Sequence, residues 1–396
     1  MTAIDIARAR RETPGSGLVL HFNNAGSSLP PTSVVDAQIA YLQREAVFGG
    51  YETAAEYADQ VERVYTSAAA LVNADPDEIA IIENATRAWD MAFYSIAFKP
   101  GDRILTAMAE YASNYIPYLQ VAKRTGAVID VVPNDEHGQV SVAALRDMLD
   151  ERVKLIAITH VPTNGGLVNP AAEIGAVARE AGVLYLLDAC QSVGQMPIDV
   201  RAIGCDMLST TGRKYLRGPR GTGFLYVRRD VVPTLEPIML DLHAAQWTAR
   251  DSYTIREDAR RFENWETNYA AKVGLGVAID YALNWGLDAI WERVSLLAAR
   301  LRSRLAEIPG VTLTDLGSTK CGIVTFTVAG HAAGDLRDAF AERRIHVTHT
   351  RTPSTRLDME ARGLTEMVRA SVHYYNDEEE VEQFCTALEH IIRSTH

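Results

Sequence analysis

Two side chains near the middle of the chain carry the first indication of chemistry. Asp188 ends a short apolar run over residues 184–187, and Lys214 stands between Thr211-Gly212-Arg213 and a glycine-rich turn, Gly218-Pro219-Arg220-Gly221-Thr222-Gly223. Such an apolar run predicts a parallel strand buried on both faces, and ligands bind at the C-terminal ends of such strands in open α/β sheets. An amine and a carboxylate delivered to that edge suit a Schiff-base cofactor of the pyridoxal type. The amine bonds the cofactor aldehyde, and the carboxylate keeps a pyridine nitrogen protonated so that the ring draws electrons. Each residue alone has a plainer reading, since a loop lysine is ordinarily a solvated charge and a strand-end aspartate ordinarily a helix cap.

The combination is more specific. Asp188-Ala189-Cys190-Gln191, followed by TGRKYLRGPRGTGFLYV over 211–227, closely resembles the signature of the class V aminotransferase group, which includes cysteine desulfurases, isopenicillin N epimerase-like proteins and carbon–sulfur lyases. Weaker similarity runs from His21 to the C-terminus. The resemblance implies an aspartate-aminotransferase-like (fold type I) large α/β domain with a mostly parallel sheet, plus a smaller α+β C-terminal domain. It implies pyridoxal 5'-phosphate as cofactor, with Lys214 as the Schiff-base lysine, Asp188 on the pyridine nitrogen, Gln191 near the ring hydroxyl, and Thr211 and Arg213 in cofactor binding. Most members carry histidine where this chain has Arg213, whose guanidinium is suited to gripping phosphate.

The elements that must position these residues follow the pattern of a doubly wound sheet. Strands are expected over residues 79–82, 103–107, 128–132, 154–159 and 224–227, alternating with helices that include 33–48, 53–72, 141–151 and 171–182. The strand 79–82 opens on Asn84-Ala85-Thr86-Arg87. A helix starting there, capped by Asn84 or Thr86, points its free N–H groups at an anion. The resemblance places the cofactor phosphate at this turn, on Ala85, Thr86 and Arg87. After the strand 103–107 come Tyr111 and Ala112, where cysteine desulfurases have two histidines. Alanine cannot stack on a ring, so Tyr111 is taken for that role, the other reading being an ordinary half-buried tyrosine. The loop after 154–159 resembles the family segment that bonds the ring hydroxyl, through Thr163 or Asn164. Asn24, Ala25 and Gly26 lie in an Asn/Gly/Ser/Pro loop that is either a plain turn or, as the resemblance implies, part of the substrate mouth. Residues 237–260 read as irregular. Beyond them, Thr267 or Asn268 matches a segment that crosses a homodimer interface to the neighbouring subunit's cofactor phosphate.

A helix over 270–285 is read as the bridge between a large domain, 21–285, and a small one, 286–396, with residues 1–20 as an N-terminal arm. In the small domain, helices at 288–307, 333–343 and 378–394 and strands at 322–328, 346–350 and 367–374 are expected. Arg369 falls among alternating apolar strand residues, where a cation is costly unless an anion joins it. It matches the family's substrate-carboxylate arginine, so the partner is read as a small-molecule substrate, an α-amino acid. Desulfurases carry a nucleophilic cysteine on the loop before that strand, yet residues 346–364 contain none. Cys321, nearest in sequence, reads as structural. The expectation is therefore a β-lyase acting on an L-cysteine S-conjugate or its sulfoxide, in the biosynthesis of sulfur-containing metabolites. Arg351, with Arg356, His349 and the loop around Trp247, would recognise the substituent. An aminotransferase or epimerase is the alternative. A non-catalytic paralogue is disfavoured by the intact set Asp188, Gln191, Lys214 and Arg369.

Bulk properties agree. The 396 residues suffice for two or three domains, and a formal charge of −12 argues against nucleic acid or an anionic membrane as the main partner. No apolar segment approaches the length of a membrane helix and no secretory core opens the chain, so a cytoplasmic protein is expected. The four cysteines lack metal-ligand spacing and are read as buried reduced thiols, with no metal site.

Overall fold

The computed structural model describes residues 4–394; the outermost residues of the expected arm and small domain lie outside the described residues. The chain enters through the helix Ile6–Arg11 and a two-residue strand, β1 (Leu20–His21). The helices Thr32–Phe48, Gly50–Glu56 and Ala58–Val72 follow, so the helix expected over 53–72 is interrupted at Tyr57, whose ψ of 13° leaves the helical range.

Strands β2 (Ile79–Ile82), β3 (Arg103–Ala107), β4 (Val128–Val132), β5 (Val153–Thr159), β6 (Leu184–Asp188), β7 (Met207–Thr211) and β8 (Gly223–Val227) form one sheet in the order β2-β8-β7-β6-β5-β3-β4. All run parallel except β8, which is antiparallel to both neighbours. β7 has no counterpart among the expected strands. Its sequence, Met-Leu-Ser-Thr-Thr, ends in hydroxyl residues that break the apolar run, yet every residue in it is buried. The helix Ala112–Thr125 was likewise not anticipated. In the region expected to be irregular, β9 (Ala245–Ala249) and β10 (Ser252–Ile255) form an antiparallel hairpin. Most of its residues are exposed, so burial imposes no alternation on the sequence from which strands are read.

The helix Tyr269–Trp285 packs on Thr32–Phe48 and Ala58–Val72 and leads through Gly286 into the long helix Leu287–Ala306. A second, antiparallel sheet contains β11 (Val311–Leu313), β12 (Ile323–Val328), β14 (Thr348–Arg351) and β15 (Glu366–Ser371), in the order β11-β12-β15-β14. Strand β13 (Ile345–His346) leaves this sheet to pair in parallel with β1, and Asn23 bridges to Ser371, so the start of the chain is stitched to its end. One buried apolar cluster runs from Ile156, Ile158 and Leu187 beneath the large sheet to Val324, Phe326 and Phe384 beneath the small one. Burial of each such side chain contributes about 1.5–3 kcal/mol. Among the described residues no helix is long and apolar enough to cross a membrane.

Candidate active site

Parallel register brings the ends of the central strands to one edge, with Thr159 of β5 opposite Asp188 of β6 and Asp188 opposite Ser209 of β7. A cavity of about 280 Å³ opens there. Residues just beyond four strands line it: Asn84, Ala85 and Thr86 after β2, Tyr111 after β3, Val161 and Thr163 after β5, and Cys190 and Gln191 after β6. Asn114, Thr159, Asp188, Thr211, Arg213 and Lys214 complete that wall, Ala25 and Gly26 come from the loop after β1, and Arg369 reaches in from β15.

Asp188 is buried; its Oδ1 accepts the Cys190 N–H at 2.8 Å and its Oδ2 accepts from Asn114 Nδ2 at 2.8 Å. Burial raises its pKa, against those two hydrogen bonds and the charge of Lys214. Gln191 Nε2 donates to the Ala25 carbonyl at 3.1 Å, whereas its Oε1 is buried without a partner. Arg213 Nη1 donates to the Gly26 carbonyl at 2.6 Å, and Ser28 N–H donates to the Arg213 carbonyl at 2.9 Å, so the cavity loop and the lysine turn hold each other.

The turn carrying Lys214 has further support. Arg217, fully buried and in the left-handed region at φ 60°, donates to the Leu29 carbonyl, the Tyr374 hydroxyl and Thr13 Oγ1 at 2.8, 2.6 and 2.5 Å. His373 Nδ1 accepts the Tyr374 N–H, which leaves Nε2 to donate to the Tyr215 carbonyl at 2.9 Å. Burial and the neighbouring Arg217 push His373 well below the usual histidine range, in keeping with this neutral tautomer. The Arg217 guanidinium binds only groups remote in sequence, and the His373 bond that holds the lysine turn is to the distant Tyr215 carbonyl, so no local pattern marks either residue.

At the turn after β2, Asn84 is the cap: its Oδ1 accepts the Arg87 N–H at 3.0 Å. That bond occupies the Arg87 amide, and the Arg87 side chain lies toward Met91, outside the cavity wall. The amides of Ala85 and Thr86 remain in the first turn, where no carbonyl of the helix can accept from them. Arg369 is buried with Nη1 donating to Thr163 Oγ1 at 2.6 Å and to the Thr163 carbonyl at 3.2 Å, while Nε has no partner. Burial lowers its pKa to about 10, so it stays charged at neutral pH, beside a cavity that holds an uncompensated cation.

Several expectations are corrected. Asn24 is entirely buried behind the cavity, donating to the Ser371 carbonyl at 2.7 Å and accepting from the Tyr375 hydroxyl at 2.5 Å; only Ala25 and Gly26 line the wall. Of the pair Thr163 and Asn164, Thr163 faces the cavity, and Asn164 turns to donate to Thr355 Oγ1 at 2.8 Å. Arg351 is exposed and absent from the wall, because Thr348 is the β14 residue opposite Arg369 and strand alternation turns Arg351 to the other face. Arg356 pairs with Glu360 at the surface, and Trp247 lies on the exposed hairpin. Thr267 and Asn268 are expected at a neighbouring subunit's site and not in this chain's own cavity; here Asn268 Oδ1 caps the helix Tyr269–Trp285. Cys205, Cys321 and Cys385 are buried as expected, but Cys190 is half-buried and lines the cavity beside Lys214.

The sequence pattern of the Aminotransferase class-V family matches residues 20–384. A probable cysteine desulfurase of Methanothermobacter thermautotrophicus is 31% identical over 392 residues, spanning 96% of this chain and 97% of that protein. Among solved structures, the apo cysteine desulfurase of Thermococcus onnurineus NA1 has a TM-score of 0.93 at 27% identity, covering 100% of both chains. A C-DES structure with glycine covalently linked to its pyridoxal phosphate has a TM-score of 0.86 at 25% identity, over 96% of this chain and 98% of that one. The chain belongs to the class V aminotransferase family of pyridoxal-phosphate-dependent enzymes.

Proposed function

We propose that this enzyme is a pyridoxal-phosphate-dependent carbon–sulfur β-lyase acting on an L-cysteine S-conjugate or its sulfoxide. The residues present fit that cofactor. Buried Asp188 suits a protonated ring nitrogen, and the unpartnered Gln191 Oε1 and the nearby Thr163 hydroxyl suit the ring hydroxyl. The free amides of Ala85 and Thr86, together with Thr211 and Arg213, suit the phosphate, and Tyr111 suits a ring face. When bound there, pyridoxal phosphate supplies an electron-poor ring that stabilises negative charge at the substrate Cα.

This chain's residues supply the rest. Arg369, which reaches the cavity from β15, binds the substrate carboxylate, with Thr163 fixing the guanidinium plane. Lys214 Nζ, which would also hold the cofactor, would serve as the base that takes the Cα proton. The Cβ–S bond then breaks with sulfur keeping the electron pair. With water, the products are pyruvate, ammonia and a thiol, or a sulfenic acid from a sulfoxide.

The observation that carries this reading is the want of a sulfur-accepting thiolate. Residues 346–364 contain no cysteine, burial pushes Cys321 up to about 11, and burial also raises Cys190 against the opposing charge of Lys214. Sulfur therefore leaves with its own substituent. A second reading, desulfuration with Cys190 as acceptor, has in its favour the position of that thiol in the cavity and the names of the relatives. Incubation of S-substituted cysteines with and without a 2-oxo acid separates lyase from aminotransferase. Pyruvate equimolar with ammonia and independent of the oxo acid is expected; turnover only when oxo acid is supplied excludes the lyase.

The same reading makes the active unit a homodimer in the cytoplasm, in keeping with four free cysteines. Exposed Trp265 stands two residues before Thr267, and exposed Tyr51 acts electrostatically on Tyr269, next to Asn268, so aromatic surface suited to a second copy flanks this segment. Sedimentation velocity is expected to give a dimer, and Thr267→Val to weaken cofactor binding by about tenfold, one lost phosphate hydrogen bond. A monomer that binds cofactor at full affinity contradicts the assignment.

A further inference from the structure

Behind Asp188 lies a second buried carboxylate that the chemistry above does not use. Glu110, 4% exposed, sits just before the helix Ala112–Thr125. Its Oε1 accepts from Thr159 Oγ1 at 2.5 Å, the Tyr111 N–H at 2.7 Å and Asn114 Nδ2 at 3.0 Å, and its Oε2 accepts from Thr106 Oγ1 at 3.1 Å. The same Asn114 amide donates to Asp188 Oδ2 at 2.8 Å. An amide nitrogen has only two protons, so one NH₂ group joins the two carboxylates and cannot turn away without stripping a buried oxygen of its donor. Glu110 also fixes the backbone of Tyr111, which forms a wall of the cavity.

We propose that Glu110 is a positioning residue for the cofactor: through Asn114 it orients the Asp188 carboxylate, and through the Tyr111 amide it sets the ring-facing wall. This rests on the pyridoxal phosphate reading of the site. Its charge acts on the same partner. Burial pushes Glu110 up to about 7, the Asp188 charge adding to the effect against the bonds from Thr159, Asn114 and Tyr111. The groups facing it are Asp188 from β6, itself faced by Lys214, the uncharged Thr106 and Thr159 from β3 and β5, and Tyr118 from the helix that follows it, whose phenol burial keeps protonated. Above neutrality a second anion then stands behind Asp188 and strengthens its hold on a ring proton; below it that anion is lost.

Two measurements on cofactor-loaded protein test this without reference to turnover. The first is a cycle of pyridoxal phosphate dissociation constants for wild type, Glu110→Ala, Asn114→Ala and the double variant. Each single change is expected to weaken binding by about tenfold, the scale of a buried charge-assisted hydrogen bond, and the double change by clearly less than the product of the two, the part carried through Asn114 being lost only once. Additive losses overturn the coupling. The second is the pH dependence of the bound cofactor's visible absorption between pH 6 and 8, in wild type and Glu110→Gln, which keeps an acceptor oxygen for Asn114 and should fold even if the alanine variant does not. A titration step that wild type shows and the Glu110→Gln variant lacks supports the inference, and superimposable curves overturn it. Failure of wild-type protein to bind pyridoxal phosphate at all would overturn the cofactor reading together with this one.

Discussion

Replacing Lys214 with alanine is expected to lower kcat by on the order of 10³-fold or more while the protein stays folded. A positioned general base alone is worth about 10²–10⁴-fold, and the same amine is the attachment point of the cofactor. The fold does not depend on it. The turn around Lys214 is held by Arg217, by the His373 bond to the Tyr215 carbonyl and by the Arg213 carbonyl bonded to Ser28, none of which involves the lysine side chain. Steady-state kinetics beside thermal melts separate the two effects. Borohydride treatment of loaded protein adds a direct check, since it fixes the cofactor to wild type and should leave the variant unlabelled. A variant whose kcat stays within about tenfold of wild type removes Lys214 from the proton transfer.

Replacing Arg369 with methionine is expected to act on binding. The guanidinium offers its free donors to a substrate carboxylate, a pair of charge-assisted bonds together worth about 3 kcal/mol, so kcat/KM should fall by about 100-fold, mostly through KM. Stability should move the other way. In the cofactor-free protein Arg369 is a buried cation whose side-chain partner is the neutral Thr163, so an apolar residue of similar length removes a desolvation cost and should leave the unfolding free energy unchanged or higher. Steady-state kinetics and urea denaturation of the same variant read both. Unchanged kcat/KM for every accepted amino acid would dissociate Arg369 from substrate binding, whereas a large loss of stability would make it a structural residue.

What was legible in the sequence and what was not follow from the range over which each residue's neighbours act. Asp188, Gln191, Arg213 and Lys214 reach the cavity because short backbone segments at strand ends carry them there, and such segments are local patterns. Arg369 was legible for a different reason: a cation amid apolar strand residues needs an anion wherever it folds. Asn24 misled because a turn asparagine looks alike whether it faces solvent or a distant strand, and its partners Ser371 and Tyr375 lie at the other end of the chain. Thr163 and Asn164 are adjacent, and only their packing against Arg369 and Thr355 decides which one faces the cavity. Strand β7 escaped notice because the apolar-run criterion assumes that buried strands are apolar, whereas Ser209, Thr210 and Thr211 are buried at the heart of the sheet. Glu110 and Asn114 stand one helical turn apart, a spacing common on helices, and only the arrival of Asp188 from another strand gives that spacing meaning.

The central claim, that sulfur departs with its own substituent, is tested most directly by following the sulfur. Wild-type enzyme loaded with pyridoxal phosphate is mixed with an S-substituted L-cysteine and with free L-cysteine, and products and intact protein mass are measured together. The lyase account predicts pyruvate, ammonia and the substituted thiol in equal amounts from the S-conjugate, with no change in protein mass. Alanine from free cysteine, accompanied by a gain of one sulfur atom that disappears in Cys190→Ser, would contradict it and make this chain a desulfurase that uses the cavity cysteine.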